Sequence, residues 1–171
     1  TDVQGRDILS GILYGTRISI VIGVASVVVS LFVGIGLGLM AGYYGGWIDN
    51  VLMRVGDVLL SIPIVLVAIL VSSVAQQFLP PAWREAGVAA VLVLAIAMYS
   101  WVQYARVVRA QTMVERRKEY VQASRLVGTP ARRLMLKHIL PNTLTPIFVA
   151  ATLNFGLAIL IEATLSFLGV G

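Results

Sequence analysis

Four long stretches without charged side chains alternate along the chain with short segments that are polar or charged. The uncharged runs contain 31, 26, 20 and 24 residues, and they lie between Arg17 and Asp49, Asp57 and Arg84, Glu85 and Arg106, and Lys137 and Glu162. A helix needs about 20 apolar residues to cross a bilayer. The pattern therefore predicts an all-α, polytopic transmembrane bundle in one domain, residues 1–171, with spans at about residues 18–42, 51–79, 87–104 and 143–168. Runs of this length disfavour the alternative, a soluble protein with four buried helices.

The first predicted span carries a ladder of small residues. They recur at every fourth position, on one face of a helix: Ser26, Ser30, Gly34, Gly38 and Gly42. Because lipid provides no hydrophobic drive between helices, close approach at small residues holds membrane helices together. We therefore expect this face to pack on another helix, in this chain or in a partner.

Three features bear on the second and fourth spans. Pro63 is expected to bend or locally open the second span. Near the start of the same span, Arg54 and Asp57 stand at helical spacing and are expected to pair. Glu162 lies late in the fourth span, and an ionisable residue there is a candidate for a path or for a contact with a partner. The alternative for Glu162 is that it simply reaches outer water.

Composition and charge favour the membrane and predict an orientation in it. Hydrophobic residues make up 58% of the chain and charged residues 12%, against about 25% in soluble domains. The net charge is +5, and nine of the 13 lysines and arginines fall between Arg106 and Lys137. Cytoplasmic loops carry such an excess, so we expect a cytoplasmic loop at about residues 106–141, residues 43–50 on the same side, and residues 76–87 and both chain ends outside. This placement explains the positive charge without nucleic acid.

The segment Glu119–Pro141 is the one long polar, basic stretch between predicted spans. We expect a first helix that stops at Gly128, which takes the left-handed conformation readily. A second helix would be capped by Thr129, begin with Pro130 and end before Pro141. Because a short exposed helix can seat in a groove of another protein, the segment is predicted to be a docking element.

Residues for catalysis are sparse in the sequence. His138 is the single histidine, cysteine does not occur, and the phosphate-binding pattern G-x-x-x-x-G-K-[ST] is absent. We therefore expect no enzyme activity, no metal and no cofactor in this chain. Any work driven by ATP would require a partner.

The docking element resembles the EAA loop of bacterial ABC importer permeases, whose pattern is E-A-A-x₃-G-x₉-I-x-L-P. The spacing matches throughout, whereas Gln122, Ser124 and His138 depart from the pattern. The stretches AGYYGGWIDNVLMRVGDVLLSIP, KEYVQAS, KHILPN and EATLSFLGVG also resemble the C-type permease subunit of dipeptide, oligopeptide and nickel importers. Members of that family usually have six spans, so we expect this chain to be part of a longer polypeptide with one further span on each side.

The resemblance implies a type I ABC importer permease in the bacterial inner membrane, with residues 119–127 as its coupling helix. The implied function is ATP-driven import of peptides. One alternative is nickel or another small solute, and a further alternative is a secondary transporter or channel without an ATPase. The implied partners are a second permease subunit, two cytoplasmic ABC ATPases and an extracytoplasmic solute-binding protein. The residues expected to couple to the ATPase are Glu119, Tyr120, Gln122, Ala123, Ser124, Gly128, Thr129, Pro130, Leu140 and Pro141.

Overall fold

The apolar runs form long helices in a computed structural model that describes residues 7–78 and 84–167. The first five helices are α1 (Ile8–Tyr44), α2 (Gly46–Ser61), α3 (Ile64–Phe78), α4 (Arg84–Glu115) and α5 (Glu119–Leu126). The last, α6, is Ala131–Phe167. Helices α1, α4 and α6 are each long and apolar enough to cross a membrane, and α2 with α3 is a fourth, broken candidate. The span ends predicted at residues 79 and 168, and the middle of the predicted outer loop, lie outside the described residues.

Helix α1 packs on α4 along the ladder of small residues. Ser26 and Ser30 are fully buried, and each hydroxyl donates to a carbonyl one turn earlier, at 2.7 and 2.6 Å. A Cβ atom added at Gly34, Gly38 or Gly42 would lie 2.6 Å from an atom of α4. The two helices can approach this closely because the three glycines have no side chain.

A sharp break separates α2 from α3. The two helices meet at an angle of 82°. Ile62 has an extended backbone, with φ −96° and ψ 126°, because a following proline disfavours the helical conformation. The bend expected at Pro63 is thus confirmed, and it is large enough to divide the predicted span into two helices.

Two ion pairs join α2 to α4. Arg109 donates through Nε and Nη2 to the carboxylate of Asp49, with 2.5 Å between Nη2 and Oδ2. Arg106 donates through Nη2 to Asp57 at 2.6 Å. The expected pairing of Arg54 with Asp57 is therefore wrong, and the side chain of Arg54 is exposed. The arginine of α4 reaches Asp57 because α4 remains helical beyond residue 104, through the first part of the predicted loop.

Helix α6 continues through Pro141 and Pro146. A π-helical stretch, Leu134–Ile139, directly precedes Pro141, and the α-helix Leu140–Phe167 follows without a gap. A proline ring clashes with the carbonyl one α-helical turn earlier. The longer hydrogen-bonded turns of a π-helix change that register just before the ring. The prediction that the second helix ends before Pro141 is therefore wrong.

An apolar cluster joins four helices at the basic end of the bundle. Its buried members are Leu39 of α1, Val108 of α4, Val121 of α5, and Leu134, Ile139 and Ile147 of α6. Each of these side chains is 3% exposed or less. Helix α5 therefore packs on the bundle through the same core as the long helices.

Candidate docking site

The backbone sets both ends of α5. The helix begins after Lys118, whose backbone is extended, with φ −69° and ψ 147°. At the other end, the amide of Thr129 donates to the carbonyl of Ser124 at 3.1 Å, and the amide of Gly128 donates to that of Arg125 at 3.0 Å. These are the two bonds of a Schellman motif. Gly128 has φ +84°, so the helix ends at the predicted glycine.

The start of α6 differs from the prediction. Pro130 is itself the cap residue, with φ −65° and ψ 144°, and no side chain caps the helix. The carbonyl of Pro130 accepts from the amides of Arg133 and Leu134, at 2.9 and 3.1 Å. The predicted cap at Thr129 is wrong because the fixed φ of proline suits an extended cap residue as well as a first helical residue.

A network of polar side chains, which we name the Glu115 brace, attaches α5 to its neighbours. Its members are Glu115, Lys118, Tyr120 and Asn142. The Glu115 carboxylate, 5% exposed, accepts from Lys118 Nζ and from the Tyr120 hydroxyl, both at 2.6 Å. Asn142 Nδ2 donates to the Tyr120 hydroxyl at 2.9 Å. The brace therefore ties α5 to the end of α4 and, through Asn142, to α6 just beyond its π-helical stretch.

The residues around Tyr120 keep its hydroxyl protonated, so that it remains a hydrogen-bond donor. Burial raises the pKa of the Tyr120 hydroxyl above its ordinary value, and the hydrogen bond and negative charge of Glu115 raise it further. A hydroxyl with a raised pKa stays protonated at neutral pH. The short bond to Glu115 is accordingly a bond from a neutral hydroxyl to a carboxylate.

The far end of α5 presents an apolar tip to solvent. Leu126 is 89% exposed and Val127 is 86% exposed. Arg125 beside them is exposed as well, and so are Arg132 and Arg133 at the start of α6. Two large apolar side chains at the tip of a braced helix, surrounded by positive charge, form a surface suited to insertion into a groove.

The ten predicted coupling residues lie in three places: in α5, in the turn after it and in α6. Glu119, Tyr120, Gln122, Ala123 and Ser124 lie in α5, and Gly128, Thr129 and Pro130 form the turn after it. Leu140 and Pro141 lie in α6, beyond the π-helical stretch. Among these residues, Tyr120 belongs to the Glu115 brace, and the Nε2 of Gln122 donates to the backbone carbonyl of Arg116 at 3.0 Å.

Glu162 lies inside the bundle, away from this site. Its side chain is 5% exposed, and its Oε2 atom has no hydrogen-bond partner among the residues that the structure describes. Such burial does not agree with the alternative in which the side chain simply reaches outer water. A role in a path, or in contact with a partner, stays a prediction.

Sequence reasoning missed Glu115 and Asn142. Glu115 is one of two acids among the basic residues 106–137, and its spacing of three from Lys118 is a signal for an ion pair. Asn142 stands 22 residues from Tyr120. The two side chains meet only because the turn after α5 reverses the chain direction. A short-range sequence pattern does not predict a contact over a separation of that length.

Comparisons with known proteins match most or all of the chain. A family model described as binding-protein-dependent transport system inner membrane component matches residues 34–171. The dipeptide transport system permease protein DppC of Haemophilus influenzae is 44% identical over 171 residues, which are 100% of this chain and 55% of that protein. The glutathione transport system permease protein GsiD of Pectobacterium atrosepticum is 41% identical, over 99% of this chain and 53% of its own length. The oligopeptide transport system permease protein OppC of Bacillus subtilis is 39% identical, over 100% of this chain and 53% of its own length. The chain thus spans about half the length of the curated relatives it matches.

Proposed function

Because this chain belongs to the family of binding-protein-dependent transport system inner membrane components, we propose that it forms part of the membrane pathway of an ATP-driven importer for peptides. Its relatives are named for the transport of dipeptides, glutathione and oligopeptides. Glutathione is itself a tripeptide, so the three names share one class of solute. Helices α1, α4 and α6 would provide the membrane-crossing part.

The main support for the proposal is the way in which α5 is attached to the helical bundle. A docked helix can transmit force only if it is held rigidly to the helices that must move. Here Val121 places α5 in the apolar cluster at the basic end of the bundle, and the Glu115 brace bonds it to both α4 and α6. The exposed tip, Leu126 and Val127, would seat in a groove of a cytoplasmic ATPase.

Partner subunits would provide the energy and the solute. The sequence has no phosphate-binding loop of its own. Closure of two ATPases on ATP would displace α5, and the brace would pass this displacement to α4 and α6. A second permease subunit would complete the cavity, and an extracytoplasmic binding protein would deliver the peptide to it.

Aspartate substitutions at the tip test the docking. Burial of a leucine or valine side chain stabilises a contact by about 1.5–3 kcal/mol, or about ten- to a hundredfold in affinity. We expect Leu126→Asp and Val127→Asp in the full-length chain to lower ATPase co-purification by about that factor and to abolish peptide uptake. The matched control is Leu136→Asp, which alters an apolar side chain that is 49% exposed but lies outside α5.

The proposal is contradicted if the tip variants retain the ATPase and full uptake while assembling normally with the second permease subunit. Equal losses in the tip variants and in Leu136→Asp would also count against it, because they would indicate general damage to the basic surface.

A further inference from the structure

A cleft of about 630 Å³ lies at the basic end of the bundle, between the end of α1 and the side of α5. Tyr43 and Tyr44 form one wall, and their rings meet edge to face with 5.3 Å between centroids. Interfacial tyrosines mark the depth at which lipid headgroups lie. The exposed tip of α5, Leu126 and Val127, does not line this cleft, although Gln122 and Thr129 of the predicted coupling residues do.

Three arginines line the cleft: Arg116, Arg117 and Arg125. None of the described residues that line it is acidic. Arg116 is held in place because its Nη1 donates to the carbonyl of Tyr43 at 2.8 Å. Arg117 and Arg125 are exposed and take part in no ion pair within the described part of the chain. Guanidinium groups bind phosphate oxygens through paired hydrogen bonds, so the cleft matches a phosphate group in charge and in chemistry.

An apolar track leads from the cleft along α1. Tyr44, Met40, Gly36 and Val33 are all exposed and recur at helical spacing on one face. A Cβ atom placed on Gly36 would meet no atom of the described residues within 4 Å, so among these residues the face beside the glycine is open. A molecule with its phosphate among the arginines would therefore have an apolar surface for acyl chains directly beside it.

We infer that this cleft binds an anionic phospholipid, with the phosphate on Arg116, Arg117 and Arg125 and the acyl chains along the exposed face of α1. Basic clusters at the cytoplasmic surface attract anionic lipids by about 1 kcal/mol per lysine or arginine. The site is independent of the solute that is carried. It places a lipid against the side of α5, where the lipid stabilises the position of the docking helix.

Lipid retention by the full-length chain in its assembled complex tests the inference. The complex is reconstituted in nanodiscs of phosphatidylglycerol and phosphatidylcholine, and the lipids that remain bound after extraction are counted by native mass spectrometry. We expect a preference for phosphatidylglycerol, reduced about thirtyfold (about 2 kcal/mol) by the double variant Arg117→Gln/Arg125→Gln. The matched control is Arg132→Gln/Arg133→Gln, which removes the same charge from exposed positions outside the cleft, and it should retain the lipid.

Equal losses in the two double variants would overturn the inference, because they would show diffuse attraction to the basic surface. A second arm compares inorganic phosphate with sodium chloride at equal ionic strength. Phosphate binding that requires Arg117 and Arg125, without any preference for phosphatidylglycerol, would assign the cleft to a soluble phosphate and overturn the lipid. Loss of ATPase binding in the tip variants with lipid retention intact would bear on the proposed function alone.

Discussion

The hydroxyl of Tyr120 is the smallest group whose removal opens the Glu115 brace. Tyr120→Phe keeps the ring and its packing but leaves Oε2 of Glu115, in a side chain that is 5% exposed, without its donor at 2.6 Å. Lys118 still donates to the other carboxylate oxygen, and Asn142 still donates to the carbonyl of His138 at 2.8 Å. The change is therefore confined to the attachment of α5.

The free energy lost in Tyr120→Phe follows from the type of hydrogen bond that is removed. A hydrogen bond to a charged group contributes about 1.5–3 kcal/mol. Tyr120 is itself 39% exposed, so water replaces part of the lost bond and the lower half of that range applies. A loss of about 1.5–2 kcal/mol raises the population with α5 detached by about ten- to thirtyfold.

Hydrogen–deuterium exchange in the assembled complex measures that population. Amides of residues 121–127 should exchange about ten- to thirtyfold faster in Tyr120→Phe, while those of α1 stay unchanged. Under the proposed function, transport per ATP hydrolysed should fall as well, because a detached α5 would no longer pass force to α4 and α6. The control is Tyr14→Phe, at an exposed position. Unchanged protection of α5 in Tyr120→Phe would refute the role given to the brace.

Two further substitutions test the backbone geometry. Gly128→Ala should destabilise the end of α5 by about 1–2 kcal/mol, because φ is +84° there although a Cβ has open space. Faster amide exchange at residues 124–129 would show this loss of stability, and unaltered exchange would contradict the prediction. Gly38→Val should separate α1 from α4 and lower the yield and the melting temperature of the folded chain, because its Cβ would lie 2.6 Å from the backbone of α4. Gly36→Val, with open space around the new side chain, is the matched control, and equal damage in the two variants would contradict the packing argument.

Much of the architecture follows from patterns within single helices. The lengths of the apolar runs predict membrane-crossing helices, and Pro63 predicts the break between α2 and α3. Gly128 predicts the end of α5, because glycine adopts a positive φ without steric cost. Each of these features depends on a few neighbouring residues, so the order of residue types is enough to predict it.

Features that depend on distances between separate helices could not be predicted from such patterns. Asp57 has Arg54 three residues away, yet it pairs with Arg106 of α4, since packing sets which guanidinium reaches it. Pro141 is a residue type that usually ends a helix, but the preceding π-helical stretch allows α6 to continue past it. Glu115 gives little sign of its importance until Tyr120 and Asn142 are brought beside it. A buried carboxylate takes its donors from whatever the fold places within about 3 Å, and that choice is made by the packing of helices rather than by spacing along the chain.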